Sequence, residues 1–485
     1  MNESTKTICY AVAALLVAIA AIASQPRDAE PVGMLLDLPG EPLFANFEDP
    51  DVAARLRIVE FDEEVGRLRQ FEVKRDRRGA WVIPSHGDYP ADANEQMRDA
   101  SLMFVGKKIL DYSSTVRGEH AMFGVVEPNE EMTASAEGVG VKVILEDADG
   151  NELANLIIGK KVKNEPGRRF VRRTSTTSDI VLIAEIDPTK LSTKFENWIA
   201  TDLLQLNAFD IDGVTLKDYS LSRSAGGYRP IQRLQVDAAF DSTTGIWSLN
   251  EMLTYTAEGA VPTELLDDEE LNAEALDSLR KALDDLKIVN VARKPDGLSA
   301  DLTLGENFLN KQESIDDLIG KGFHADTIAK KLYSANGEAH ISMKGGVRYV
   351  LRFGGTSSTR DEAGQLHRFL FVTAEVDYSK LPSPQLIELP TAKPGEDKDE
   401  LAARRSQIAK ENERKVAEWE GKKRAAEDRV RALQARFGPW YYVISEDVYR
   451  DIHLGRNDLI AESRGENNLG YGVDDFRALQ QGGLY

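Results

Sequence analysis

The sequence predicts an α+β protein, with an N-terminal transmembrane helix followed by two related α+β repeats built on antiparallel hairpins. The second repeat carries a long charged helical insertion. Three observations predict this. Residues 7–26 contain no charge, the remaining chain runs twice through one order of hairpins and helices, and a proline-free stretch rich in Ala, Glu, Lys and Arg interrupts the second copy. Residues 1–27 are therefore read as a membrane anchor or signal segment and 35–208 as the first repeat. Residues 209–470 are the second repeat, 395–437 its helical insertion, and 471–485 a loose tail.

At 1.5 Å per residue, the twenty uncharged residues would span about 30 Å as a helix, roughly the hydrocarbon thickness of a bilayer. Lys6 precedes the run, which places the amino terminus in the cytoplasm and everything beyond Arg27 across the inner membrane. Ala21-Ile22-Ala23 has the small-x-small form of a cleavage site, so removal as a signal competes with retention. The length of the run favours a single retained anchor, with the bulk of the chain on the periplasmic side.

In the first copy, Ile58-Val59-Glu60-Phe61 and Phe71-Glu72-Val73-Lys74 read as strands, followed by Ala80-Trp81-Val82-Ile83 after a turn. The second copy answers with Val214-Thr215-Leu216-Lys217, Leu234-Gln235-Val236-Asp237 and Ile246-Trp247-Ser248-Leu249, so Trp81 and Trp247 hold the same place. A helix follows each. Asp92 and Glu95 have capping-box spacing in the first, and Asn272 precedes Leu276, Leu279, Leu283 and Leu286 at helical spacing in the second. Alternating hairpins come next, around 141–159 and 340–355. Then Arg169-Phe170-Val171-Arg172-Arg173-Thr174 matches Arg368-Phe369-Leu370-Phe371-Val372-Thr373. A final strand and helix are expected at 180–183 and 195–204, and again at 440–444 and 448–460. On this alignment about 381–438 is inserted between two neighbouring strands.

The core of that insertion, 397–436, has sparse apolar residues, among them Ile408, Val416, Trp419 and Val430. It reads as a solvent-facing helix or helical hairpin, with Gly421 as the point where it would break, serving either as a spacer or as a docking arm for a partner helix. Trp419 is the candidate contact residue on it.

The chemistry of catalysis is poorly represented. With 81 acidic and 60 basic side chains and a net charge of -21, the average surface repels nucleic acid. Cys9 is the single cysteine, which excludes an internal disulfide and a thiolate zinc site. Six histidines are scattered without metal-ligand spacing; His340 and His367 fall in strands and are read as sheet-surface residues. No phosphate loop with Lys-Ser/Thr and no Gly-x-Ser-x-Gly elbow is present, so neither a nucleotide, a cofactor nor a metal is expected, and no catalytic residue is assigned. The basic group Arg168, Arg169, Arg172 and Arg173 is the densest positive feature. It is either a candidate surface for an anionic polymer or headgroup, or simply a strand displaying its charges outward.

Trp81-Val82-Ile83-Pro84, the helix at 91–105, Phe123-Gly124-Val125-Val126-Glu127-Pro128, Leu156-Ile157-Ile158-Gly159, Arg169-Phe170-Val171 and Val181-Leu182-Ile183 together form a pattern. In that pattern the chain resembles the DUF4340 family, a bacterial family of unknown biochemical function. Val125 stands where the family commonly has leucine. The likeness is good over 55–205 and weak over 210–460. It implies a membrane-anchored accessory subunit beside an ABC-2 type exporter or gliding-motility transporter, with permease and ATPase on other chains. A non-enzymatic accessory or scaffold protein acting by protein–protein contact is thus the expectation. A cell-envelope glycan hydrolase or a polysaccharide-binding module is the alternative.

Overall fold

The computed structural model describes residues 39–463, apart from 64–65, 175–178, 225–226, 361–363 and 393–396. The uncharged run at 7–26 and the tail at 471–485 lie outside the described residues. Among the described residues no helix is long and apolar enough to cross a membrane. The described chain is mixed α+β, and its sheets are antiparallel.

The first set of elements is β1 (Arg55–Asp62), β2 (Arg67–Arg75), β3 (Trp81–Ile83), β4 (Tyr89–Pro90), α1 (Asn94–Leu102), β5 (Asp111–Ser114), α2 (His120–Phe123), β6 (Val141–Glu146), β7 (Glu152–Lys161), β8 (Arg168–Arg173) and β9 (Val181–Glu185). Their order in the sheet is β4-β3-β2-β1-β6-β7-β8-β9-β5. The β6–β7 turn forms because the Asp147 carboxylate accepts hydrogen bonds from the backbone N–H groups of Asp149 and Asn151, at 2.9 and 2.8 Å.

The second set is β10 (Ile211–Ser224), β11 (Gly227–Asp241), β12 (Ile246–Thr256), β13 (Gly259–Pro262), β14 (Glu269–Leu271), α3 (Ala273–Asp284), β15 (Ile288–Arg293), α4 (Glu306–Leu309), α5 (Gln312–Gly320), β16 (Phe323–Asp326), β17 (Lys331–Ser334), β18 (Glu338–Met343), β19 (Val347–Arg360), β20 (Leu366–Val376), α6 (Lys398–Phe437), β21 (Trp440–Ser445), α7 (Glu446–Ile452), α8 (Arg456–Leu459) and β22 (Ile460–Glu462). The main sheet runs β13-β12-β11-β10-β18-β19-β20-β21-β15. Replacing each strand by its counterpart turns one order into the other. Asn272 caps α3 by accepting from the Ala275 N–H, and Leu276, Leu279 and Leu283 form its buried face.

Side-chain detail repeats too. Arg169 donates from Nη1 to the carbonyl of Gly159 on the neighbouring strand at 2.9 Å, and Arg368 does the same to Gly354 at 2.8 Å. A Cβ on Gly159 would lie 2.5 Å from the Phe123 carbonyl oxygen, and one on Gly354 would lie 2.4 Å from that of Lys321. Each overlying turn has a glycine in the left-handed region, Gly124 at φ 73° and Gly322 at φ 78°.

The described residues divide into two compact units, one of 39–71 with 94–193 and the other of 72–93 with 194–463. In the second unit α4, α5, β16 and β17 cover one face of the sheet, around Phe308, Leu318, Phe323, Leu332, Phe371 and Tyr441. α6 takes the opposite face: it enters after β20 and leaves before β21, while those strands stay paired from His367 against Ser445 to Leu370 against Tyr442. It is one unbroken 40-residue helix through Gly421, so the hairpin alternative does not apply.

Three local expectations are corrected. The stretch 195–204 contains only a short 3₁₀ helix, Phe195–Trp198, because its backbone pairs instead with the start of β15 through Leu203 N–H to Leu286 O at 2.9 Å and Ile288 N–H to Thr201 O at 3.0 Å. The helix expected at 448–460 is split into α7 and α8 by Gly455, which caps the second. His340 is half-buried and His367 is buried at 7 % exposed, so neither is displayed on an open sheet surface.

The glycine contacts predict that G159A and G354A each destabilise the protein by about 1–3 kcal/mol through overpacking. Thermal unfolding of both variants checks this, and an unchanged midpoint would contradict the close approach.

Candidate functional site

The four clustered arginines lie on β8, and the structure places them against the protein's own backbone. Arg168 is exposed and ion-paired with Glu165. Arg169 reaches Gly159 as above, Arg172 donates from Nε to the Val125 carbonyl at 3.2 Å, and Arg173 donates to that of Leu43 at 3.3 Å. Burial lowers the pKa of both Arg172 and Arg173, against which the Glu127 carboxylate, 3.8 Å from Arg172, pulls the former back. Outward display therefore holds for Arg168 alone. The other three hold carbonyls, and the group does not form a continuous positive surface.

Trp419 lies midway along α6. Its Nε1 donates to the carbonyl of Leu381 at 3.0 Å, and Lys423 stands 5.7 Å from its ring. That bond opens a pattern. The Asn412 carboxamide accepts from the Ile387 N–H at 2.9 Å and donates to the Ile387 carbonyl at 2.8 Å. Arg405 donates to the Pro390 carbonyl at 2.9 Å. Residues 381–390 thus run antiparallel to the helix as a strap, fastened at 419, 412 and 405. Pro382, Pro384 and Pro390 suit this segment, since each lacks an N–H and disfavours helix in the residue before it.

The two halves of α6 differ. Ala426, Val430, Leu433 and Phe437 are buried at helical spacing, and Phe437 meets Tyr349 and Tyr442 edge-on. Between Leu401 and Ala426 no residue is buried. Here an open groove of about 520 Å³ lies between strap and helix, lined by Leu386, Leu389, Ala409, Val416, Ala417 and their polar neighbours. Leu386 and Leu389 are 54 % and 53 % exposed. Exposed leucines gathered along a groove are a feature of interaction surfaces.

The family model described as Domain of unknown function (DUF4340) matches residues 81–304. Residues 81–304 belong to the DUF4340 family. No curated protein and no solved structure matches the chain. The DUF4340 match runs from the strand of Trp81 to the loop before α4, so α6 and its strap lie outside it.

The second unit also holds two polar features, each drawing residues both from inside the DUF4340 match and from beyond it. A cavity of about 410 Å³ lies on the face of β15, β21, β20 and β19, lined by Asn290, Ser357, His367, Phe369, Tyr441 and Val443 among others. Asn290 accepts from the Val291 N–H at 2.7 Å, and burial raises the Tyr441 phenol. Hydroxyl, imidazole and carboxamide groups can bind a neutral polar molecule there, and no carboxylate lines the cavity among the described residues.

The second feature is Glu338. Tyr219 donates to its Oε1 at 2.9 Å, Arg352 stands 3.3 Å from the same oxygen, and His340 Nε2 is 3.0 Å from Oε2. Burial alone would raise this carboxyl. The His340 hydrogen bond, the Arg352 charge and the Tyr219 hydroxyl outweigh burial and hold it at about 2. Burial, then the Glu338 charge, pushes the Tyr219 phenol up, so it remains a donor. Both oxygens are engaged, which makes the carboxylate a structural anchor and a poor proton acceptor. Sequence reasoning missed this network, although the Glu-x-His alternation that puts both side chains on one face was visible.

Two outcomes follow. N412A releases both backbone groups of Ile387, so limited proteolysis should cut within 382–392 at least several-fold faster while the far-ultraviolet spectrum is unchanged; equal cutting would refute the strap. Because Glu338 is held below its ordinary 4.5, its contribution is present above that pH and lost as pH falls toward 2. The stability gap between wild type and E338Q, on the order of 2–3 kcal/mol at neutral pH, should shrink across that window in denaturant titrations. A constant gap would count against it.

Proposed function

We propose that this chain is a membrane-anchored, periplasm-facing accessory or scaffold protein beside an ABC-type exporter, acting by protein–protein contact through α6. The observation that carries the reading is the outer half of α6. It has no buried residue between Leu401 and Ala426 and is held by a strap whose Leu386 and Leu389 stay open to solvent. The uncharged run at 7–26 supports the anchor, at a length suited to one crossing. A helix of 40 residues is about 60 Å long, enough to carry a contact surface away from the sheet. The absence of a carboxylate among the described residues lining the 410 Å³ cavity gives the hydrolase alternative no support there, while its neutral polar lining favours the polysaccharide-binding alternative as a second reading.

The test is affinity capture from detergent-solubilised membranes with the full chain and with L386E/L389E/V416E, which alters the groove and spares the buried base of α6. Exporter subunits should come down with wild type and fall by about tenfold or more, roughly 1.4 kcal/mol, with the triple variant. Equal recovery from a folded triple variant would reject α6 as the contact.

A further inference from the structure

Resting on the reading of α6 as a docking arm, we infer that its groove receives an amphipathic helix of another protein carrying basic side chains one heptad apart. The inference comes from how the charges of α6 are used. Arg414 pairs with Glu418, Lys415 with Glu411, Lys423 with Glu427 and Arg431 with Asp428, each three or four residues apart on the helix itself. Glu413 and Glu420 line the groove, and among the described residues no cation lies within ion-pair reach of either. They are seven residues apart, so they project from one flank about 10.5 Å apart along the axis.

The groove floor repeats the same period. Ala409 and Val416 are also seven apart, with Ala417 beside them, and small side chains there let a second helix approach closely. Leu386 and Leu389 form the opposite wall. From Ala409 to Glu420 the groove follows twelve residues, or about 16 Å, which accommodates roughly three turns of a helix. An apolar floor with two carboxylates on one rim matches a helix with an apolar stripe and a basic flank. It is a poor match for an anionic lipid surface, whose phosphates those carboxylates would repel. A net charge of -21 adds long-range attraction for a basic partner.

The test uses the full chain and two synthetic helical peptides with the same Leu/Ala stripe, one bearing Lys at two flank positions seven apart and the other Glu at those positions. Fluorescence anisotropy should show the Lys peptide binding at least about tenfold more tightly, with the difference shrinking as salt is raised. E413K/E420K should reverse the preference. Equal binding of both peptides, a preference unchanged in E413K/E420K, or self-association of the chain that L386E abolishes would each overturn the inference. The two readings fail separately. Loss of exporter capture with the peptide preference intact removes the exporter role and keeps the groove chemistry. Capture that survives E413K/E420K, with no peptide preference, removes the groove chemistry and keeps the docking role.

Discussion

Gly159 and Gly354 each lie beneath a turn whose carbonyl oxygen would stand 2.5 or 2.4 Å from any Cβ built there. Without that close approach, Phe123-Gly124-Val125 could not lie on the first sheet, nor Lys321-Gly322-Phe323 on the second. The same two glycines offer their carbonyls to Arg169 and Arg368, which fixes the next strand in register. In the second unit the arginine does more. It is only 7 % exposed, takes the Glu446 carboxylate in a two-pronged pair at 2.9 and 2.7 Å, and lies 3.7 Å from the centre of the Tyr449 ring. A charge so enclosed is tolerable because nearly every donor is used. One missing side chain therefore aligns turn, strand and following helix.

On this frame the second unit adds material at two places. Between β15 and β18 it inserts α4, α5, β16 and β17, which cover one face where the first set has the 3₁₀ turn Arg117–Glu119 and α2. Between β20 and β21 it inserts α6. Both additions leave the strand order intact, because they occupy connections and not ladder positions. The long helix is stable for two separate reasons along its length. Its last turns bury Ala426, Val430, Leu433 and Phe437, while its outer turns rely on helix-favouring residues, short-range ion pairs and the strap.

Much of this was legible in the residues. Alternation and turn chemistry marked the hairpins, and the matched hexapeptides 169–174 and 368–373 marked the duplication. Asn272 and the leucine spacing of α3 marked a helix, and the composition of 397–436 marked another. What failed was local reasoning where tertiary pairing wins: 195–204 looked helical, yet its backbone bonds go to Leu286 and Ile288. The arginines of β8 misled for a related reason, since strand alternation says which face a side chain starts on and nothing of where a long guanidinium ends. The strap was signalled only by its prolines. Its partner on the helix, Asn412, is one polar residue among many, and no sequence period distinguishes it.

The pinning of Ile387 has a consequence for solubility. An extended apolar segment such as Leu386-Ile387-Glu388-Leu389 is ordinarily a template on which like chains stack edge to edge into fibrils. Here the carboxamide of Asn412 occupies both backbone groups of the central residue, and prolines at 382, 384 and 390 deny a growing ladder its donors on either side. The leucines stay available for side-chain recognition, while the main chain that would seed aggregation is already spoken for.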